Sequence, residues 1–500
     1  MINILGIMCV SFFINNIIPG KSNKNRTINL IFSILTLYVI LGELLKFNFN
    51  NNEYQERIEI LGYTLGFDGI GISLIALMGV LDPILIMLIK GEREEGIERK
   101  RIINYIQIIK ILIIILFAAL DLFLFFITFE LILIPMFLLI SRYGSQYQYF
   151  LPRLEAGIRF FLYTMIGSIL MFLGIIIMYI KYGTTSNELL NIKISETLLI
   201  GDTNNILILQ VVWILLFFSF LIKIPMFPFH TWLPLAHSDA PTIGSIILAA
   251  LLLKLASFGI LRYSLYLYEP FNGSILEDSV YSIFLPIIYI LALISIIYCS
   301  FIPLRGLYDF KKIIAYSSVI HMNFSIFGFF SKDLVGLIGA SFLMFTHAFI
   351  SSALFLLIGI LYKRYHSRFL PYYQGLSITM PLFAFFFLFF SFANISLPFC
   401  ASFLAEFFIL VSSLHSNLFI SILLVFSLIV SSAFMIWFAN RLLFGTFSPY
   451  LLFSKESIGF KDLTYTEFLT LIPFFVFTFV FTFFPQSVVS ILTLPVLYFI

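Results

Sequence analysis

Residues 221–245 read LIKIPMFPFHTWLPLAHSDAPTIGS. This apolar run holds a lysine (Lys223), two prolines three apart (Pro225 and Pro228) and two histidines (His230 and His237). Lysine and histidine can take up and release protons, and imidazole does so near neutrality. The prolines remove backbone donors and leave carbonyls free. Similar chemistry recurs along the chain. Glu130 lies in FFITFELILIPMF, Lys254 in ILAALLLKLASFGIL, His321 in AYSSVIHMNFSIFG and His347 in SFLMFTHAFISSALF. Glu406 lies in FANISLPFCASFLAEFF, where Asn394 and Pro398 mark a second helix break. A charged residue at the centre of an apolar span costs about 2.5–3.5 kcal/mol on insertion scales. Six such groups in six spans read as a relay of titratable sites, the arrangement that proton or ion movement requires.

The elements that must position these groups are membrane helices. The chain has 500 residues, 61% hydrophobic and 11% charged. That composition leaves too little polar surface to clothe a soluble domain. Apolar runs of about 18 residues or more read as spans, and a barrel would instead show ~10-residue alternating segments. The fold class is an all-α polytopic membrane protein of about 14 transmembrane helices. The spans fall near residues 2–18, 28–46, 70–89, 104–120, 121–140, 158–180, 206–238, 241–263, 280–300, 313–330, 335–361, 381–412, 417–440 and 466–484. The seventh and twelfth are broken, by Pro225 and Pro228 and by Pro398. Irregular backbone at membrane depth survives only where protein or a wet cavity satisfies it, and ion-coupled transporters place sites at such breaks.

The two breaks are five spans apart, which suggests two inverted five-helix repeats. The expected divisions are helices 1–3 in 1–103, a first repeat in 104–263, a second in 264–440, and helix 14 with a tail in 441–500. The first span follows Met1 without a basic preamble and is expected to be retained. The longest polar connections are 47–66, 141–157, 181–205, 362–380 and 441–465.

Loop cations orient the bundle. Twenty Lys and Arg fall in loops after odd-numbered spans, among them Lys21, Lys90, Arg93, Lys311, Arg368 and Lys455. Six fall opposite, including Arg262 and Lys332. Positive loops stay on the side of synthesis, so the N-terminus is expected on the other side. Net charge is +3, too small to suggest nucleic acid. Cys9, Cys299 and Cys400 are isolated in sequence, which argues against an iron–sulfur cluster or zinc site made by this chain alone. Lys110, near the start of its span, reads as a snorkelling side chain, and Asp82 beside Pro83 as structural.

The stretch KIPMFPFHTWLPLAHSDAPTIGSIILAALLLKLASFGILR resembles the signature of the antiporter-like subunits of NADH–ubiquinone oxidoreductase, respiratory complex I. LGFDGIGISL, FELILIPMFLLISRYGSQ, LEAGIRFFLYTMIGS, DFKKIIAYSSVIHM, FTHAFISSALF, YHSR and LPFCASFLAEF narrow the resemblance to the chain 4 type. It runs from about Phe67 to Leu443. Glu406 stands where sister subunits resemble each other in using lysine. Asp82 in LDPIL departs from relatives that look apolar there, and a basic loop residue would be its partner. Pro228 stands where relatives often carry a small residue.

The resemblance implies roles. Glu130 would pair with Lys223, Lys254 would be the next station, and His321 and His347 would bridge to Glu406, the terminal site. His230 and His237 would either shape an inlet or serve packing. The chain would bind no cofactor. FMN, iron–sulfur clusters, NADH and ubiquinone would sit in partner subunits. Those partners would be other membrane-arm subunits, two sister antiporter-like subunits included, with membrane lipids around them. The expected function is a proton path coupled to electron transfer from NADH to ubiquinone. A cation/proton antiporter subunit and a purely structural membrane-arm subunit are the alternatives. Heavy use of Phe (63 residues) with Ile, Asn, Lys and Tyr suggests AT-rich organelle coding. The expected location is therefore the mitochondrial inner membrane, with a bacterial plasma membrane as the alternative.

Overall fold

The computed structural model describes residues 1–18, 24–49, 54–60, 62–89, 96–144, 151–199, 203–265, 277–331, 333–446 and 461–497. Among these residues, eleven helices are long and apolar enough to cross a membrane. Three shorter apolar helices, Ile2–Ile17, Pro381–Asn394 and Ala401–Ser416, accompany them. The helical membrane class holds. The sheet described is one antiparallel pair, β1 (Gln55–Ile60) and β2 (Tyr63–Phe67), which occupies the second half of the 47–66 connection and ends one residue past it. Of the loop cations, Lys21, Lys90, Arg93, Lys332 and Lys455 lie outside the described residues.

The chain divides into two compact units. The first comprises Met1–Lys223, Lys254–Phe284 and Ser490–Ile500. It begins with α1 (Ile2–Ile17), α2 (Lys24–Lys46), α3 (Gly69–Leu88) and α4 (Gly96–Ala118). Here α1 packs on α2 and α4, and α3 packs on the same two helices. Next come α5 (Leu122–Leu131), α6 (Leu133–Tyr143), α7 (Leu151–Tyr182), α8 (Asn187–Leu199) and α9 (Thr203–Lys223), with α7 against α6 and α9.

The fifth span, expected as one helix over 121–140, is two helices that meet at Ile132. Pro135 has no N–H to return to the carbonyl of Leu131, so the ladder fails one residue after Glu130. Arg262, counted above as a loop cation, is a buried anchor. It pairs with Asp68 at 2.6 Å and donates to the carbonyl of Ala119 at 2.7 Å, just past the end of α4. The last carbonyls of a helix lack partners within it.

The second unit comprises Ile224–Leu253 and Leu285–Val489. After the break at 224–228 come a 3-10 turn, Phe229–Thr231, and α10 (Trp232–Asp239). The eighth span, expected as one α-helix over 241–263, begins in this unit, is counted with the first from Lys254 on, and changes period three times along its length. It runs α11 (Thr242–Ile247), a π-helical segment Leu248–Leu252, α12 (Leu253–Gly259) and a second π-helical segment Ile260–Leu265. Then follow α13 (Glu277–Leu304), α14 (Phe310–Phe329), α15 (Leu334–Tyr365), α16 (Leu376–Thr379), α17 (Pro381–Asn394), α18 (Ala401–Ser416), α19 (Leu418–Leu443), α20 (Tyr465–Phe483) and α21 (Pro485–Leu497). The tail thus carries a further helix, α21, beyond the fourteenth expected span.

The hub of this unit is α15. It is buried at every position from Gly336 to Leu361 and touches α11, α14, α17, α18 and α20. A helix apolar on all sides belongs in a core. Lys311 and Arg368, also counted as loop cations, are buried here. Lys311 donates to the carbonyl of Ala240 at 2.6 Å, and Arg368 reaches Asp239 at 3.4 Å and Asp309 at 3.9 Å.

Helices α14 and α15 meet at two glycines. A Cβ at Gly328 would stand 2.5 Å from the carbonyl oxygen of Gly336 and 2.7 Å from the Cβ of Ala340. Neither neighbour can swing away. Gly328→Val should therefore force the two helices apart at a cost of about 1–3 kcal/mol, the range for overpacking. The expected outcome is a lower yield of the assembled membrane complex on a native gel and a lower melting temperature of what assembles.

Candidate functional site

Lys223 is the last residue of α9, at the end of a helix where a cation is favoured. Its ammonium lies 3.3 Å from the carbonyl oxygen of Phe129 and 3.0 Å from the centroid of that residue's ring. An aromatic face attracts a cation, more so where water is excluded. Glu130 is the next residue. Its Oε2 is buried and has no hydrogen-bond partner, and the pair makes no ion-pair contact within 4.0 Å. The lysine thus rests on backbone and ring, with its acid adjacent and unengaged. Such a geometry lets a short movement of the carboxylate switch the electrostatic support of the ammonium.

The chain beyond Lys223 leaves the helix. Two side chains of the second unit satisfy the backbone it exposes. Asn323 donates to the carbonyl of Pro225 at 3.2 Å, and the N–H of Phe227 donates to Ser295 Oγ at 2.7 Å. Lys254 is fully buried, the second residue of α12 and next to a π-helical segment. Single π turns inside α-helices are frequent at functional sites.

The densest cluster is built on α14, α15, α17 and α18. Its members are His321 on α14, His347 on α15, Asn394 at the end of α17 and Glu406 on α18, all buried. His321 Nδ1 lies 3.0 Å from Glu406 Oε1, and its Nε2 lies 3.0 Å from Asn394 Oδ1. Asn394 in turn donates to Ser317 Oγ at 3.3 Å. Both ring nitrogens therefore face oxygen acceptors. That requires either an imidazolium beside an ionised Glu406, or a neutral ring with the second proton on Glu406. One proton can pass between the two residues along a 3.0 Å contact without any change in the surroundings. The rings of His321 and His347 are 5.6 Å apart between centroids. Both line a small cavity of about 10 Å³ with Asn394, Ser402, Ala393 and Ile350. That is about the room one water needs, and the imidazoles and Asn394 are the polar groups it would meet.

The break between α17 and α18, at 395–400, is held by Ser402, whose hydroxyl donates to the carbonyl of Ala393 at 2.5 Å. His237 stacks flat on Phe355, 4.4 Å between centroids and 4° between planes. His230 packs against Phe227 and Tyr298 at 5.9 and 5.4 Å. Both are thus seated in aromatic packing. The residues absent from the sequence reading of this site are Phe129 and Ser402. Phe129 carries no polar side chain to signal a lysine partner. Ser402 lies four residues after Pro398, where a hydroxyl that closes a helix break could have been sought.

Comparison with known proteins bears on this arrangement. Residues 119–435 match the family model of the NADH:quinone oxidoreductase/Mrp antiporter transmembrane region. NADH-ubiquinone oxidoreductase chain 4 of Chondrus crispus is 40% identical over 475 residues, 93% of this chain and 90% of its own length. The protein of that name from Marchantia polymorpha is 39% identical over 458 residues, 90% of this chain and 86% of its own. The chain belongs to the NADH-ubiquinone oxidoreductase chain 4 family. As a chain 4 protein it is a multi-pass subunit of the proton-translocating NADH:ubiquinone oxidoreductase, in the mitochondrial inner membrane.

The chain 4 fold also matches solved structures. A chain of respiratory complex I from Thermus thermophilus with bound NADH superposes with a TM-score of 0.81 at 21% identity, over 99% of this chain and 98% of that one. A chain of the membrane-bound sulfane sulfur reductase, an archaeal respiratory membrane complex, gives 0.82 at 18% identity, over 99% and 96%. At these identities the likeness is one of fold.

Replacement of Asn394 by leucine removes the acceptor at His321 Nε2 and leaves one ring N–H buried without a partner. An unsatisfied buried donor costs about 1–3 kcal/mol. Asn394→Leu should slow NADH oxidation coupled to ubiquinone by about 5- to 150-fold where that cost falls on the transfer step, since 1.4 kcal/mol is about a factor of ten. NADH oxidation with artificial acceptors at the hydrophilic arm should persist. Ubiquinone reductase rates alongside ferricyanide rates check this.

Proposed function

We propose that Glu130, Lys223, Lys254, His321, His347 and Glu406 carry protons through this subunit, in that order. The observation that carries the reading is His321, held between Glu406 and Asn394 at 3.0 Å on each side, at the mouth of a broken helix. Lys223 at the end of α9 beside an unbonded Glu130 supports it. Each step is a proton exchange between neighbouring titratable groups. Glu130 draws toward Lys223 to hold its proton and withdraws to release it. Lys254 accepts next, inside a helix whose period changes on either side. The histidines pass the proton on, and Glu406 holds it last.

In this reading the two repeats, 104–263 and 264–440, are the frame of the path, and the breaks at Pro225, Pro228 and Pro398 give each repeat its flexible centre. His230 and His237 shape the inlet side through packing. In this reading the chain itself carries no cofactor, in keeping with its three cysteines being scattered in sequence. NADH, FMN, iron–sulfur and ubiquinone chemistry belongs to partner subunits. Two of the membrane-arm neighbours are sister antiporter-like subunits.

Glu130→Gln keeps the shape of the side chain and removes its charge. The expected outcome is loss of proton pumping in proteoliposomes, with NADH oxidation by artificial acceptors retained. Pumping at the wild-type rate would take Glu130 out of the path.

At the other end, Glu406→Asp keeps the charge and draws it back by one methylene, so partial activity is expected. Glu406→Gln removes the charge, and Glu406→Lys puts a cation against His321. Both should lose coupled turnover. Equal coupled rates in all three variants would mean that Glu406 is structural and that the path ends elsewhere.

A further inference from the structure

The helices before residue 119 lie outside the matched family region, yet they bury an acid–lysine pair. Asp82 on α3 and Lys110 on α4 are 0% and 2% exposed, with Lys110 Nζ 2.6 Å from Asp82 Oδ2. Thr36 on α2 adds a hydroxyl at 3.4 Å. Lys110 therefore does not snorkel, and the partner of Asp82 is this in-span lysine, not a loop residue. Replacement of a buried ion pair by apolar side chains is often neutral or stabilising, so stability alone does not explain it.

The pair stands at the inner end of a buried polar stripe. On α2 the buried face carries Asn25, Asn29, Ser33 and Thr36, while Ile31, Ile34, Leu35 and Tyr38 are exposed. The helix is polar inside and apolar outside. Gln107, one turn before Lys110 on α4, donates to Asn29 at 2.6 Å, and Asn29 donates to Asn15 on α1 at 2.9 Å. Asn15 donates to Asn104 at 2.5 Å, and Asn104 to the exposed Asn16 at 2.8 Å. Lys100 closes the outer end on the carbonyls of Asn16 and Ile18. At the inner end Asp82 Oδ1 and Gln107 Oε1 are buried without hydrogen-bond partners. A stripe lined this way can be wetted where an apolar one stays dry.

Depth links the pair to the path. Helices α4 and α5 are joined by a short turn and packed together. Lys110 lies eight residues before the end of α4, and Glu130 eight after the start of α5. At the helical rise, both lie about 12 Å from the same end.

We propose that α1–α4 form an inlet that loads protons from the face bearing Asn16 and Lys100 onto the Asp82–Lys110 pair, which feeds Glu130. This rests on the proton path proposed above. Lys110 gives its Nζ proton up toward Glu130, which leaves the Asp82 carboxylate uncompensated, and that negative charge draws the next proton from the stripe to restore the ammonium.

The test uses the assembled complex in proteoliposomes and reads protons moved per NADH oxidised. Lys110→Arg keeps the ion pair, but a guanidinium does not release its proton in a protein. Gln107→Leu cuts the stripe and leaves the pair intact. Both should assemble, oxidise NADH and lose proton yield. Should arginine block assembly, Asp82→Asn with Lys110→Met removes both charges together and takes its place, with the same loss expected. An assembled variant of either kind at the wild-type yield overturns the inlet. Glu130→Gln, run alongside, separates the two failures. If it loses pumping while the Lys110 and Gln107 variants keep it, the inlet alone is wrong. If it too pumps normally, the path it was to feed is wrong as well.

Discussion

A backbone carbonyl or a charge inside hydrocarbon has no water to turn to, and each one left unsatisfied costs several kcal/mol. This chain breaks its helices at membrane depth more than once, so each break must be closed by protein. Asn323 closes the one after Lys223, Ser402 the one after Asn394, and Arg262 the end of α4. Lys223 answers the carbonyl of Phe129, next to the interruption in the fifth span. The groups that repair the backbone are therefore the polar neighbours of the groups that titrate. In the proposed path the breaks open room for protons, and their repair fixes where that room lies.

Rigidity is distributed to match. Helix α15 is buried along nearly its whole length and holds His347 on a fixed axis, while glycines at the α14–α15 contact bring His321 within ring distance of it. Across that gap only a proton or a water has to move. At the other end Glu130 hangs at the close of a short helix, one residue before its ladder fails. A carboxylate there has freedom that one inside a continuous helix lacks. In the proposed path the cluster around His321 and the junction at Glu130 thus divide the work: the first would store and share a proton in place, and the second would change a lysine's surroundings by moving.

Much of this was legible in the sequence. Charges in apolar runs announced the six candidate groups, and prolines announced the breaks in the seventh and twelfth spans. The fifth span hid its break because Pro135 lies four residues past the failure it causes, inside an otherwise unbroken apolar run. Lys311, Arg368 and Arg262 were counted as loop cations because residue type and position in a connection do not reveal an anchor. Their burial depends on Ala240, Asp239 and Asp68, which only tertiary packing brings near. The same holds for Asp82 and Lys110, 28 residues apart and readable one by one but not as a pair. The aromatic seat of Lys223 was invisible for a plainer reason, since a phenylalanine among 63 carries no mark of its own.

The two π-helical segments of the eighth span have a geometric consequence. Each bonds residue i to i+5, so each turn takes in one residue more than an α turn. A wheel drawn at a constant 100° per residue from Thr242 to Leu265 falls out of phase after Leu252, by roughly the angle of one residue, and again after Ile260. Lys254 and Arg262 lie on either side of that second slip. The span can therefore aim the lysine and the arginine toward different sectors of the bundle that an unbroken α-helix of the same sequence could not serve together. Removal of one residue from LAALL would keep the span apolar and long enough to cross, yet turn every side chain after it.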